Sequence, residues 1–164
     1  KKAGEVGELL LRGPNIMKGY WRQPEASAEA LRDGWYHSGD MVYFDEDGYY
    51  YVKDRKKDMI VRAAFNIYPK EIEDLLYTHP AVAEAQVVGI PDLVKGEEVV
   101  ACLALKPGES LTEQQVIAFC RENIATYKTP KYVRFYPSLP KTATGKLEKV
   151  RLRQDLIEQF GKQY

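Results

Sequence analysis

The sequence predicts an α+β protein in two parts, a β-rich first part and a mixed region of helices and strands after it. Aromatic stretches on either side of Asp45–Gly48 are typical of a β-hairpin, with Gly48 supplying the positive φ of the turn. From residue 59 onward, short apolar strand-like runs alternate with helix-like segments, which is typical of a small sheet flanked by helices. With 45% hydrophobic and 29% charged residues, the chain has enough apolar side chains for a core beneath a charged surface.

The first part contains few regular elements. The predicted elements are a strand at 8–12, a helix at 24–31, and the hairpin strands Met41–Phe44 and Tyr49–Lys53. The helix is expected to begin at Pro24 and to end before Asp33-Gly34. Because side chains alternate between the two faces of a strand, we expect at least one face of the Tyr49-Tyr50-Tyr51 run to pack into a core.

The second part is denser in regular structure. The predicted elements are strands at Met59–Val61, Ala85–Val88, Val99–Leu105 and Tyr132–Tyr136, and helices at 69–78, after Thr112, and at Lys149–Phe160. Ile72, Leu75 and Leu76 have the i, i+3, i+4 spacing of a helix with one apolar face. Thr112 and Gln115 have the spacing of a capping box, which predicts where the following helix begins.

Two cysteines and two histidines limit the possible metal and redox chemistry. Cys102 lies in an apolar run and Cys120 on the inner face of a predicted helix, and they form no CxxC pair. We therefore expect reduced thiols that act as small hydrophobic side chains, and no metal site. The longest apolar runs are too short for a transmembrane helix, and the chain begins without Met or a signal sequence, so we expect a piece of a longer protein.

The net charge of zero hides an uneven distribution. Residues 121–153 hold nine Lys or Arg against two acidic residues, so the rest of the chain must be about seven charges negative. This pattern indicates a local anion site in the basic segment, either for a small ligand or for a polyanion. A solvated lysine-rich face is the alternative.

Local patterns alone leave the chemistry open. Gly145-Lys146 is not a phosphate-binding P-loop, because Pro140 stands where that motif needs Gly and Leu147 where it needs Ser or Thr. What remains is a lysine in a mobile Thr- and Gly-rich loop, which could deliver a positive charge to a phosphate. Asp40 could accept hydrogen bonds from both hydroxyls of a cis-diol such as ribose, or it could cap its own turn. His37 and Ser38 are adjacent on an extended segment and point to opposite faces, so no catalytic triad is expected.

Five motifs, taken together and in order, resemble those of the adenylate-forming (AMP-binding) superfamily. The residues of the Asp-Arg-Lys-Lys-Asp motif are most similar to those of fatty acid and aryl acyl-CoA ligases. The motifs are Gly19-Tyr20-Trp21, Trp35-Tyr36-His37-Ser38-Gly39-Asp40, Asp54-Arg55-Lys56-Lys57-Asp58-Met59-Ile60, Asn66-Ile67-Tyr68-Pro69 with Glu71-Ile72-Glu73, and Pro140-Lys141-Thr142-Ala143-Thr144-Gly145-Lys146. The resemblance implies two half-reactions. ATP first converts a carboxylate to acyl-AMP, and the thiol of CoA then displaces AMP to form a thioester.

The resemblance also implies roles for individual residues. Asp40 would hold the ribose hydroxyls of ATP and AMP, and Arg55 would lie near the same ribose. Lys146 would be the catalytic cation that bridges the acyl carboxylate and the phosphate. Lys57 would be the hinge about which a small C-terminal domain rotates between the half-reactions. Residues Ala63, Ala64, Phe65 and Asn66 would form the loop that lines the CoA channel.

For the fold, the resemblance implies a small C-terminal α/β lid domain preceded by the β-rich end of a large N-terminal domain. Residues 1–56 would close the large AMP-binding domain and residues 57–164 would form the lid. The co-substrates would be ATP and CoA, with Mg²⁺ bound outside this chain, and the partners would be a carboxylic acid and the N-terminal domain of the same chain. We expect no nucleic-acid partner and a cytoplasmic location; peripheral membrane association and the oligomeric state stay open.

One segment departs from the family pattern. Many acyl-CoA ligases have Ser-Gly-Gly-Glu-Asn where this chain has Arg62-Ala63-Ala64-Phe65-Asn66. Glycine permits a close approach of ligand to backbone and a positive φ, and two alanines with a phenylalanine should restrict both. The acceptor of the acyl group is therefore open between CoA and another acceptor, such as the thiol of a carrier protein. A stand-alone module that binds a polyanion or nucleic acid through residues 121–153 is a further alternative.

Overall fold

The computed structural model describes residues 1–161, which form two compact units. The first unit comprises Lys1–Lys57 and the second begins at Asp58. Together they contain antiparallel sheets and four α-helices, so the predicted α+β class is confirmed. Within the described residues, none of the helices has both the length and the apolar content needed to cross a lipid bilayer.

The first unit is a three-stranded antiparallel sheet with one short helix. Its elements are β1 (Gly7–Leu11), α1 (Pro24–Ala30), β2 (Tyr36–Phe44) and β3 (Tyr50–Arg55), and the strand order is β1-β2-β3. Both hairpin strands are longer than their sequence suggests. Strand β2 begins five residues before Met41, because Tyr36 and His37 pair with β1. These early residues lack the alternating apolar pattern, so only the pairing partner reveals them as strand.

The tyrosine run lies at the surface of this unit, contrary to the expectation from strand alternation. Tyr49, Tyr50 and Tyr51 are all exposed, between 44% and 68%. Tyr51 stacks on Tyr43 and Tyr50 contacts Phe44, so the rings cover one another across the hairpin rather than a core. The expected burial of one face is wrong within Lys1–Lys57, because this small sheet has no second layer over those rings.

The second unit is a five-stranded sheet with helices on both faces. Its elements are β4 (Ile60–Arg62), β5 (Phe65–Ile67), α2 (Pro69–Tyr77), β6 (Val82–Asp92), β7 (Gly96–Leu105), α3 (Glu113–Asn123), β8 (Tyr132–Phe135) and α4 (Lys149–Gly161). The main strand order is β5-β4-β7-β6, and β8 pairs in parallel with β7. Strands β6 and β7 form a long antiparallel ladder that extends well beyond the two short apolar runs visible in the sequence.

Alternating side chains of β7 supply two separate cores. Val99, Ala101 and Leu103 pack with α2 and α3, whereas Val100 and Cys102 pack with α4 on the opposite face. Burial raises the pKa of the Cys102 thiol to about 12 and that of Cys120 to about 11. Both cysteines are buried free thiols, so they serve as small hydrophobic side chains, as predicted.

The helix boundaries agree closely with the sequence patterns. The Thr112 hydroxyl accepts a hydrogen bond from the Gln115 N–H, and the Gln115 side chain accepts one from the Thr112 N–H, which completes the predicted capping box. In α2, Ile72 and Leu76 are fully buried, as the apolar spacing indicated. Strand β5 was not predicted, because Phe65 and Asn66 are exposed and only their pairing with β4 defines the strand.

Candidate functional site

An open cleft of about 730 Å³ in the first unit contains Asp40 and Arg55. These two residues lie directly opposite each other on neighbouring strands, since the β2–β3 register pairs Asp40 with Arg55. Asp40 is half-buried, and its backbone N–H donates to the Ser38 hydroxyl over 3.0 Å. Gly39, at φ 74°, takes the left-handed conformation that lets the strand present the next residue to the cleft.

The Asp40 carboxylate and the Arg55 guanidinium are free for a ligand. Across residues 1–161, neither side chain makes a hydrogen bond or an ion pair with another residue. The carboxylate can accept two hydroxyl hydrogen bonds, and the guanidinium can donate to oxygens nearby. A polar ligand with a vicinal diol would satisfy both groups.

The cleft is also lined by an ion-pair cluster around Glu8. Its carboxylate oxygen Oε2 lies 2.8 Å from Lys56 Nζ, 3.5 Å from His37 Nδ1 and 3.9 Å from an Arg32 nitrogen. The hydrogen bond from Lys56, followed by that from His37, holds the pKa of the Glu8 carboxyl below its usual value. His37 therefore pairs with Glu8 and Arg32, and its described contacts do not include Ser38.

Lys146 lies on a tight turn between two bridged residues. Lys141 and Leu147 form an antiparallel bridge, and the Thr142 N–H donates to the Lys146 carbonyl oxygen over 2.8 Å. Gly145, at φ 80°, closes the turn by donating its N–H to the Thr142 carbonyl oxygen. In this structure the Thr- and Gly-rich segment forms a hydrogen-bonded turn closed by one β-bridge, and the Lys146 side chain is exposed.

Most of the basic segment is neutralised within the second unit. Six of its nine cations form ion pairs with acidic residues: Lys128 with Glu71, Lys131 with Asp92 and Glu98, Arg134 with Glu113, Lys141 with Glu84, Lys149 with Glu73, and Arg153 with Glu97. Arg121, Lys146 and Arg151 are the three without an ion pair in the described part of the chain. Internal pairing of this extent weakens the interpretation of residues 121–153 as a polyanion-binding surface.

Glu84, which the sequence analysis did not single out, supports the base of the Lys146 turn. Its carboxylate accepts the Leu139 N–H over 2.8 Å and pairs with the Lys141 ammonium group. A glutamate inside the apolar run Val82–Ile90 is the sequence signal that could have identified it, because a buried strand admits a charge only when that charge has partners.

The pH dependence of stability should reveal this support. The hydrogen bond from Lys141, followed by that from the Leu139 N–H, lowers the pKa of Glu84. A carboxyl whose pKa is lowered by folding stabilises the fold above its unfolded pKa of about 4.5, and this contribution is lost as the pH falls through the folded value. We therefore expect Glu84→Gln to reduce the free energy of unfolding at pH 7, with a difference from wild type that shrinks below about pH 4.5.

Chemical denaturation at several pH values from 3 to 7 measures this difference. The exposed Glu109→Gln variant is the control and should differ little from wild type at every pH. A Glu84→Gln deficit that stays constant from pH 7 to pH 3 would contradict the assignment.

The loop expected to line a CoA channel is a β-hairpin turn with both alanines in the left-handed region. Ala63 has φ 49° and Ala64 has φ 67°, and they join β4 to β5. Both alanines thus adopt the positive φ that alanine disfavours, because the hairpin imposes this conformation and the Ala63 N–H donates to the Lys95 carbonyl oxygen over 2.9 Å. Phe65 and Asn66 then lie on strand β5.

Glycine at this turn should stabilise the chain. The left-handed conformation destabilises the folded state by about 1–2 kcal/mol for a residue with a Cβ, and glycine removes this strain. Glycine also makes the unfolded chain more flexible, which offsets about 0.4–1 kcal/mol of the gain. We expect Ala63→Gly and Ala64→Gly each to raise the free energy of unfolding by about 0.5–1 kcal/mol in urea titrations. Ala143→Gly, at an exposed residue without positive φ, is the matched control and should lower the free energy of unfolding. An equal decrease of this free energy in all three variants would contradict strain at the turn.

Lys57 ends the first unit. It lies in a single 3₁₀ turn, Lys56–Asp58, and its side chain is exposed. The sequence signal here was the charged run Asp54–Asp58, whose first member is buried.

Comparison with known proteins identifies relatives over nearly the whole chain. Residues 71–146 match the family model of the AMP-binding enzyme C-terminal domain. The chain is 47% identical over 154 residues to a long-chain-fatty-acid–CoA ligase of Bacillus subtilis, covering 94% of this chain and 28% of that protein. The chain therefore spans about 28% of the length of this curated relative.

Solved structures show the same fold. ATP-bound MatB from Rhodopseudomonas palustris matches with a TM-score of 0.89 and 36% identity, over 98% of this chain and 32% of that one. The amide bond synthetase McbA from Marinactinospora thermotolerans matches with a TM-score of 0.84 and 39% identity, over 94% of this chain and 32% of that one. The similarity thus includes a protein named as an amide bond synthetase.

Proposed function

This chain belongs to the adenylate-forming superfamily of AMP-binding enzymes, and we propose that it is the C-terminal part of an ATP-dependent acyl-CoA ligase that acts on a fatty acid or a related carboxylate. In the first half-reaction the carboxylate oxygen attacks the α-phosphorus of ATP, and pyrophosphate leaves to give acyl-AMP. In the second, the thiol sulfur of CoA attacks the acyl carbon, and AMP leaves. Mg²⁺ accompanies ATP and is bound by residues outside this chain.

Asp40 and Arg55 serve nucleotide binding in this proposal. The unpaired Asp40 carboxylate accepts the two ribose hydroxyls, and Arg55, opposite it in the register, donates to oxygens of the same nucleotide. Because both half-reactions involve the adenosine moiety, this site holds the nucleotide throughout.

Lys146 stabilises the first transition state. Negative charge increases on the phosphate oxygens as the carboxylate attacks, and an ammonium group close to them in a site shielded from water is typically worth about 3–4 kcal/mol. The observation that supports this role is that Lys146 is exposed and has no ion pair in the described part of the chain, at the base of the turn closed by the Lys141–Leu147 bridge. Arg121 and Arg151, the other two cations of the basic segment without an ion pair there, lie on helices α3 and α4.

The second half-reaction requires a different surface near the nucleotide. We propose that the residues from Asp58 onward rotate about Lys57, so that Lys146 leaves and the turn Ala63–Ala64 with Phe65 and Asn66 takes its place along the path of the acceptor thiol. A 3₁₀ turn at the end of a strand is a suitable hinge, since few backbone dihedrals have to change.

The complete enzyme that contains this chain tests the proposal. With ATP and a panel of fatty acids, it should catalyse carboxylate-dependent exchange of labelled pyrophosphate into ATP, and with CoA it should release acyl-CoA and AMP. Offering CoA and a phosphopantetheinylated carrier protein separately distinguishes the two acceptors, and an amine acceptor covers the chemistry named for McbA. Absence of carboxylate-dependent exchange would overturn the function.

A polyanion-binding module is the second candidate. It predicts steeply salt-dependent binding of RNA or DNA, with about one unit of slope for each phosphate neutralised. The internal pairing of the basic segment argues for a shallow slope and weak binding. A filter-binding titration between about 50 and 300 mM salt, over which the Debye length falls more than twofold, decides between them.

A further inference from the structure

The second unit contains a buried carboxylate that the proposed mechanism does not use. Glu98 is 1% exposed, and Arg62 Nε lies 2.7 Å from its Oε2. Lys95 Nζ and Lys131 Nζ lie 3.0 and 3.7 Å from Oε1. Neither carboxylate oxygen has a well-aligned hydrogen bond, so ion pairs alone compensate for its burial.

Arg62 connects this carboxylate to a second segment of the chain. Its Nη1 donates to the carbonyl oxygens of Tyr127 and Thr129, each over 3.1 Å. The Arg62 side chain is only 14% exposed, and Glu98 and the two carbonyl oxygens are its described polar partners. Lysine could not make this set of contacts, because only the planar guanidinium donates in several fixed directions.

Three segments meet at this pair. Arg62 is the last residue of β4 and directly precedes the Ala63–Ala64 turn, Glu98 lies near the start of β7, and Tyr127 lies in a 3₁₀ turn. Beside the pair, the exposed rings of Phe65 and Tyr127 stack with centroids 4.6 Å apart and planes 24° apart. The pair therefore fixes the distance between the hairpin turn and the segment that carries Tyr127.

A buried ion pair of this kind contributes little to stability, because the cost of removing two charges from water offsets their attraction. Such a pair instead favours one conformation, because only one geometry satisfies both charges. Here that geometry includes a strained left-handed turn, which the Arg62 contacts and the Ala63–Lys95 hydrogen bond hold in place.

We propose that Arg62 and Glu98 are positioning residues for the acyl-transfer half-reaction, since they set the placement of the Ala63–Asn66 turn and of the Phe65–Tyr127 ring pair along the path of the acceptor thiol. This inference rests on the proposed function. It assigns no direct contact with substrate to either residue. Their effect is on the approach of the thiol, and not on the formation of acyl-AMP.

Arg62→Lys is the decisive variant, because it keeps a cation beside Glu98 and removes the two carbonyl contacts. In the complete enzyme, we expect about a tenfold rise in KM for the thiol acceptor when acyl-AMP is supplied, the size of two lost hydrogen bonds of modest strength. Carboxylate-dependent pyrophosphate exchange should change less than twofold. Glu98→Gln should have a larger effect in the same direction.

Arg134→Lys is the matched control. Arg134 also pairs with an acid, Glu113, and donates to a carbonyl oxygen, that of Val133, but it lies on β8 away from the turn. It should leave both half-reactions within twofold of wild type. Equal losses in both half-reactions of Arg62→Lys, or unchanged acyl transfer, would overturn the inference.

Hydrogen exchange provides a measurement that does not depend on the proposed function. In Arg62→Lys, the amides of Ala63 and of residues 126–129 should exchange about tenfold faster, whereas those of β6 and β7 should not change. Unchanged exchange at Ala63 would overturn the positioning role even if acyl transfer were impaired. A wild-type enzyme that forms acyl-AMP but transfers it to no thiol would overturn the proposed acceptor chemistry. The hydrogen-exchange measurement would still decide whether Arg62 sets the placement of the Ala63–Asn66 turn.

Discussion

Lys146→Ala in the complete enzyme should reduce acyl-AMP formation by about 10²–10³-fold while thioester synthesis from supplied acyl-AMP stays close to wild type. The expected size follows from the loss of one cation that stabilises developing charge, about 3–4 kcal/mol. The two half-reactions separate because Lys146 serves only the first in the proposed cycle. Pyrophosphate exchange measures the first half-reaction, and release of AMP from synthetic acyl-AMP with CoA measures the second.

Lys106→Ala is the control for the Lys146 experiment. Lys106 is exposed, and its described hydrogen bonds are backbone ones, from its N–H to the Ala81 carbonyl oxygen and from the Glu109 N–H to its own carbonyl oxygen, so its side chain can be removed without loss of a described partner. This variant should keep both half-reactions. If Lys146→Ala slowed both half-reactions equally, Lys146 would be acting through folding or through nucleotide binding, and the assigned role would be wrong.

Asp40→Ala should weaken ATP binding by about 100-fold or more. Two hydrogen bonds to a charged acceptor contribute about 1.5–3 kcal/mol each, and alanine removes both. Asp40→Asn keeps an acceptor oxygen without the charge, so its affinity should lie between those of alanine and wild type. Isothermal titration of ATP and of AMP measures both losses, which should be similar because the ribose is common to the two ligands.

Asp47→Asn is a suitable control for charge removal in the same unit. Asp47 lies in the exposed hairpin turn between β2 and β3, so its substitution changes the net charge equally without touching the cleft. It should leave nucleotide affinity within twofold. An Asp40→Ala protein that bound AMP normally would exclude a role in ribose binding.

Much of the site could be predicted because its residues are adjacent in sequence or lie in short motifs. In Gly39-Asp40 and Gly145-Lys146, a reactive side chain directly follows a glycine, which is free to adopt positive φ. This arrangement can be read directly from the sequence because it involves only adjacent residues. The capping box at Thr112 and the apolar spacing of α2 are local in the same sense. Each of these depends on interactions within one turn of the chain.

The contacts that the sequence could not predict join residues far apart in the chain. Glu84 reaches Leu139 and Lys141, and Arg62 reaches Tyr127 and Thr129. The extra length of β2 and the existence of β5 have the same origin, since a strand with exposed side chains is defined by its pairing partner rather than by its own pattern. The left-handed conformation of Ala63 and Ala64 is likewise imposed by the hairpin against the local preference of alanine.

For this protein, the sequence by itself determined the α+β class, most helix positions, the family and the candidate residues Asp40, Arg55 and Lys146. Only the tertiary structure decided which charges are paired and which are free, and therefore that Lys146 is one of three cations of the basic segment without an ion pair within residues 1–161. The physical reason is that propensity and motif act over a few residues, whereas the ionic environment of a side chain depends on whatever the fold brings within about 4 Å of it.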